Sequence, residues 1–273
     1  ETVLQAEDME WTLSCVTEPT YRTGFDRNFW IWEKYQDDSK YLLVADVARG
    51  DGADYSVFHV IKLQTMEIVA EYQGKPTLDH YADILFDAGR EYGNCLLVVE
   101  NNGIGISVLE KLINKEYPNL YYSIKGSHEY IEQHKAQYSS NSVPGFTNSS
   151  KTRPLIVAKM EEYIRNKLII VRSSRLFHEF KTFIWHNGRP QAMRSYHDDL
   201  VMSLSIACWV RDTAIEVDQR DVAYKKAMMG GMFLNSTKMN TTIKGQDGYS
   251  QTFNEKYREE INQTKDFLWI YKG

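Results

Sequence analysis

The stretch "YLLVADVARGDGADYSVFHVIKL", Tyr41 to Leu63, decides the fold. Its first half is a short apolar run of strand-forming residues that ends on an acid, Asp46. Glycines at 50 and 52 turn the chain, and "DYSVFHVIKL" resumes with the alternation of a second strand. "MEIVAEYQ", after a turn at Gln64 and Thr65, is a third, so the three read as an antiparallel meander. An acid at the end of a buried strand is unusual, because a buried carboxylate is costly unless it is paired or binds a cation. The nearest pairing candidate for Asp46 is Arg49.

Working outward, "TLDHYADILFDAGREYG" has helical spacing and closes on Gly93, the C′ glycine of a helix. "CLLVVE" reads as a strand buried on both faces and ended by Glu100, with no basic residue within five positions. "NNGIG" turns into the helix "ISVLEKLINKEY", and "LYYSI" is another strand. Residues 126–150 read as a long polar loop. "RPLIVAKMEEYIRNK" follows as a helix with Pro154 near its first turn, "LIIV" as a strand, "SRLFHEFKTFIW" as a helix or a helix then a strand, and "HNGRPQAM" as a hairpin turn. The pattern implies an α/β fold: a mixed sheet with antiparallel first three strands and helices on both faces.

The last helix opens with "SYHDDLVMSLSIACWV", Ser195 to Val210. One aspartate there is explained as an N-cap. Two adjacent ones repel unless a cation offsets them. If neighbouring strands bring Asp46 and Glu100 together and the helix delivers Asp199, the result is an all-oxygen site suited to Mg²⁺ or Mn²⁺, expected as two ions. Two such ions can activate a water and stabilise a departing oxygen in phosphodiester cleavage. Asp198 then either caps the helix or supports the second ion, and Asp54 is a further candidate ligand. His197 fits a cap or surface position better than a ligand.

The chain has 273 residues and a formal charge of −5, which by itself argues against a nucleic-acid partner. The distribution reverses that inference, since Lys151 to Arg194 holds ten Lys or Arg against three acids. Solvated helix faces are the plain alternative for such a block. Three scattered cysteines (Cys15, Cys95, Cys208) favour a reducing compartment, and no apolar run is long enough to span a membrane. The chain opens on Glu1, as a piece of a longer or processed polypeptide would.

Four ordered blocks, "LLVADVARGDGADYSVFHVI", "VVENNGIGISV", "SSKTRPLIV" and "HDDLVMSLSIA", together resemble the RNase H-like nuclease domain of the large terminase subunit of tailed, myovirus-type bacteriophages. The resemblance spans roughly residues 40–212. It implies a metal-dependent endonuclease of low sequence specificity that cuts concatemeric double-stranded DNA during genome packaging in the host cytoplasm. The portal, the small terminase subunit and other motor subunits would be its partners, with no membrane involved and no place expected in the mature virion. Asp46, Glu100 and Asp199 become the implied catalytic, metal-binding acids, with Asp198 and Asp54 as auxiliary metal candidates. Lys151 and Arg153 fall in the family's basic loop and would touch the DNA backbone, and Lys159 and Arg194 join them as DNA-binding candidates.

The expected organisation is a lead-in from an upstream ATPase domain (1–38), the nuclease domain (39–215), and an extension (216–273) at least partly docked on the core or a neighbouring chain. No G-x-x-x-x-G-K-[ST] loop is present, so packaging ATPase activity is not expected of this chain. Two other readings stay open here. One is a junction resolvase or transposase-type nuclease on the same fold. The other is a noncatalytic nucleotide-binding module built on "ENNGIGISV", for which a lone G-x-G is weak support.

Overall fold

The computed structural model describes residues 2–215 except Asp51, Ala53 and His128. The expected extension over 216–273 lies outside the described residues. The strands are β1 (Tyr21–Thr23), β2 (Phe29–Ile31), β3 (Tyr41–Asp46), β4 (Ser56–Lys62), β5 (Glu67–Gly74), β6 (Leu96–Val99), β7 (Tyr122–Ile124), β8 (Tyr130–Ile131), β9 (Ser142–Pro144), β10 (Phe183–His186) and β11 (Arg189–Ala192). The helices are α1 (Ala6–Cys15), α2 (Leu78–Glu91), α3 (Gly105–Asn114), α4 (Gln133–Ala136), α5 (Thr152–Arg165), α6 (Ser174–Thr182) and α7 (Asp199–Val210).

The main sheet has six strands in the order β1-β2-β5-β4-β3-β6. β3, β4 and β5 form the antiparallel meander, whereas β6 joins β3 in parallel. The parallel step demands a crossover, which α2 supplies. Thr77 Oγ1 accepts from His80 N at the start of α2, and Gly93 ends it with φ +73°. Two strands from the segment before residue 39 extend the sheet, β2 pairing with β5 and β1 forming the edge.

Period-two alternation along β3 feeds two cores. Leu42 and Val44 pack with α5, α6 and α7 residues such as Met160, Phe180 and Leu204. Leu43 and Ala45 pack with α2 and α3 residues such as Leu85, Val108 and Leu112. Helices therefore cover both faces, as the sequence pattern requires. α7 is apolar nearly all round and buried nearly all round.

Two expectations change in detail. The strand anticipated at "LIIV" shrinks to a single bridge, Ile170 beside Glu67, because the chain peels away after one exchange of hydrogen bonds. The polar loop over 126–150 contains β8, α4 and β9, which with β7 form a separate small sheet ordered β8-β7-β9. Isolated hairpin pairings of two or three residues leave little trace in hydropathy. Among the described residues no helix is long and apolar enough to cross a membrane.

Candidate metal centre

β3 and β6 lie side by side with Ala45 opposite Val99, so the next residues, Asp46 at the end of β3 and Glu100 just past β6, lie at the same end of the pair. Glu100 N donates to Ala45 O at 3.0 Å, which holds the two chain ends together. The "NNGIG" turn then brings the start of α3 against Glu100. A Cβ on Gly105 would fall 1.9 Å from the Glu100 carbonyl oxygen, so only glycine allows this approach. Gly105 thus serves packing against Glu100, which weakens the support for the nucleotide-binding reading.

Asp46 Oδ1 accepts from Val47 N at 2.8 Å, and among the described residues no ion pair joins it to Arg49. Glu100 Oε1 accepts from Asn102 Nδ2 at 2.8 Å. Burial pushes the Asp46 carboxyl well above its ordinary value, and the charges of Glu100 and Asp199 push the same way. Burial also raises Glu100, against the opposing effects of Asn148, Arg153 and Asn102. Asp199, the first residue of α7, is pushed up to about 6, mainly by burial, although Tyr55 N donates to its Oδ2 at 3.0 Å. The charges of Glu100 and Asp199 act against ionisation of Asp46, and those of Asp54 and Asp198 against that of Asp199, the condition under which a cation is most strongly attracted.

A second grouping overlaps the first through Asp199. Asp54, His197 and Asp199 present ligand atoms within 4.8 Å of one another. His197 Nδ1 lies 3.6 Å from Asp54 Oδ1 and 3.9 Å from Asp199 Oδ2, and as a buried nitrogen it has no hydrogen-bond partner. The His197 ring meets the edge of Tyr55 at 5.3 Å between centroids. This histidine, placed at a cap or surface by sequence, therefore stands at the centre of a donor set. The donors are mainly carboxylate oxygens with one imidazole, which fits Mg²⁺ or Mn²⁺ and tolerates softer first-row ions.

Asp198 does not cap α7, because its side chain makes no capping bond. Its Oδ2 instead takes Ala192 N at 3.0 Å and the Arg153 guanidinium. The two aspartates are thus separated by partner: Asp198 turns to the β11 end and α5, Asp199 to Tyr55 and His197. The capping alternative is corrected accordingly. Arg153 also donates from Nε to Pro190 O at 2.9 Å.

The basic block separates in the same way. Arg153, Lys159, Arg165, Arg172 and Arg175 are held in ion pairs with Asp198, Glu162 and Asp212, Glu161, Glu67 and Glu71 respectively. Lys151, Lys167, Lys181, Arg189 and Arg194 are exposed. Of the four sequence candidates for DNA contact, Arg153 and Lys159 are therefore engaged with acids, and Lys151 and Arg194 face solvent. A block count cannot make this distinction, since Glu67, Glu71, Asp198 and Asp212 come from outside the block.

These features describe an α/β domain of RNase H-like fold whose acids gather at the end of its parallel pair, β3 and β6. Comparison with known proteins finds similarity to large terminase subunits and, in fold, to their nuclease domains. The chain is 29% identical over 181 residues to the large terminase subunit of Thermus virus P23-45, a match covering 65% of this chain and 33% of that protein. It is 28% identical over 181 residues to the large terminase subunit of Thermus phage G20c. The chain thus spans about a third of the length of the curated relatives it matches. The large terminase nuclease of phage G20c with bound magnesium superposes with a TM-score of 0.55 at 20% identity, over 73% of this chain and 95% of that one. The nuclease domain of the Thermus phage P74-26 large terminase gives 0.54 at 20% identity, over 73% and 93%. The G20c domain is also known with bound cobalt and zinc. No family model matches the chain.

Proposed function

We propose that this chain is the nuclease domain of a phage-type large terminase subunit, a metal-dependent endonuclease that hydrolyses DNA phosphodiesters with little regard to sequence. The observation that carries the reading is the gathering of acids beyond β3: the charges of Glu100 and Asp199 both raise the buried Asp46 carboxyl, and Asp54, His197 and Asp199 present ligand atoms within 4.8 Å of one another. Asp46, Glu100 and Asp199 would hold one divalent cation, and Asp199, Asp54 and His197 a second. Bound there, the ions supply water activation and charge stabilisation at the scissile phosphate.

The chain's own groups do the remainder. Tyr55 N fixes the rotamer of Asp199, and Asn102 fixes that of Glu100. Arg153 pairs with Asp198 and so offsets a negative charge that is felt at both Asp46 and Asp199. Lys151 and Arg194, both exposed, would meet phosphate oxygens, which positions a strand without reading its bases. Double-stranded DNA, with the portal, the small terminase subunit and other motor subunits, in a host cytoplasm, is the setting this reading implies. In the same reading, the segment up to residue 38 connects to an upstream ATPase, and 216–273 extends the domain toward a partner.

The test is incubation of the purified chain with supercoiled plasmid in Mg²⁺ and in Mn²⁺, with EDTA and Asp199→Ala controls. Nicking and linearisation that vanish in both controls support the reading. Cutting that survives either control refutes it.

A further inference from the structure

The first turn of a helix exposes N–H groups that need acceptors from outside the helix. In α7 the residue at the cap position, Asp198, is committed to Arg153 and Ala192 N. The acceptor comes from another helix. Glu179, on α6, takes the N–H of Val201 on its Oε2 at 3.1 Å. Val201 is the third residue of α7, and its N–H is the one that an N-cap side chain ordinarily takes. Glu179 is only 8% exposed, and its other oxygen, Oε1, has no partner among the described residues.

Leaving a buried acceptor unmatched is costly, and a serine at the cap would avoid it. What a local cap cannot supply is a link between elements. Glu179 ties α6 to the turn that carries Asp199, and one turn further on Ser203 Oγ donates to Val44 O of β3 at 2.9 Å. His59 Nδ1 meets the same Ser203 at 3.0 Å. The first turn of α7 is thereby anchored on α6 at one side and on the Asp46 strand at the other.

We infer that Glu179 is a positioning residue for the metal centre: by capping α7 from α6 it fixes the turn that presents Asp199 and leaves Asp198 free to hold Arg153. The inference rests on the reading of Asp199 as a cation ligand. Burial pushes the Glu179 carboxyl well above its ordinary value, and glutamine keeps an oxygen acceptor at the same reach.

The experiment uses the whole 273-residue chain and the variants Glu179→Gln, Glu179→Asp and Glu179→Met. Mn²⁺ binding is measured by calorimetry without DNA at pH 7.5, and exchange of the Val201 amide by NMR in EDTA. Glutamine, which keeps the acceptor at the same reach, should bind Mn²⁺ within about twofold of the parent. Methionine, with no acceptor, and aspartate, one methylene short, should lose roughly tenfold or more, as supporting residues of metal sites do. Both should also exchange the Val201 amide faster. In plasmid cleavage kcat should fall with KM unchanged. Parental Mn²⁺ affinity in a folded Glu179→Met protein, or in Glu179→Asp should the methionine variant not fold, overturns the inference. A parent chain that binds no Mn²⁺ refutes the reading of the acids instead, and equal Val201 exchange in parent and Glu179→Asp then overturns the cap on its own.

Discussion

Glu71 and Asp46 sit two strands apart in one sheet, both recessed from water, and their surroundings treat them in opposite ways. Burial alone would raise both. Around Glu71 the hydrogen bond from His59, the charge of Arg175 and the hydroxyl of Ser173 outweigh burial, so its carboxyl falls below its ordinary value. The contacts are short, with Ser173 Oγ at 2.7 Å, Arg175 Nε at 2.8 Å and His59 Nε2 at 3.1 Å. Around Asp46 there is one backbone N–H, and the neighbours are acids. A buried carboxylate with a full set of donors braces a fold, and one surrounded by other carboxylates awaits a cation.

The largest effect expected from this contrast is on activity. Asp46→Ala, Glu100→Ala and Asp199→Ala should each reduce plasmid cutting by about 10³-fold or more, while their melting temperatures in EDTA stay level or rise. Loss of the folded state in these variants would erase the distinction from Glu71. Glu71→Leu should do the reverse: removing one partner of a buried ionic network costs about 3–5 kcal/mol. Urea titration would read that loss directly, whereas a change under 1 kcal/mol would reduce the Glu71 cluster to decoration.

The pH dependence should differ in sign. Asp199 binds its proton more tightly folded than unfolded, so the metal-free fold gains stability as pH falls from neutral through about 6, and loses it on the way back. Asp199→Asn should accordingly stabilise the metal-free protein at pH 8 by about 1–3 kcal/mol, and Mg²⁺ should favour the parent. Glu71 contributes stability above its ordinary carboxylate range that is lost only as pH drops through its depressed folded value. Melting curves in EDTA from pH 4 to 8, for the parent and Asp199→Asn, separate the two. Identical slopes would contradict the assignment.

Gly105→Ala tests the backbone of the acid edge. The added methyl meets the Glu100 carbonyl, and the overpacking should cost about 1–3 kcal/mol with a matching loss of Mn²⁺ affinity. The smallest effects belong to the surface. Lys151→Ala and Arg194→Ala should each weaken DNA binding and flatten its salt dependence by about one unit of log–log slope. Equal slopes in parent and variants would remove both from the DNA path.

The meander, the parallel strand, the α2 crossover and the acids ending β3 and opening α7 were legible from hydropathy period and turn residues, because those signals are local. Glu71, Glu179 and His59 were not. His59 and Glu71 lie inside largely apolar strands and Glu179 on a helix of mixed polarity, where nothing local points to a partner, and those partners are distant in sequence. The sharing of duties between Asp198 and Asp199 was also invisible, since adjacent side chains at a helix start diverge only once β11, α5 and the Tyr55 loop are in place. Arg153 looked like a free cation for the same reason.

The order and chemistry of the chain determined by themselves that acids would end one buried strand, follow another and begin a buried helix, since strand and helix periods are encoded by neighbours. Which of those acids would be satisfied and which left short of positive charge was decided only in three dimensions. Desolvation and ion pairing depend on what packs within a few ångströms, and that packing is supplied by residues up to 159 positions apart.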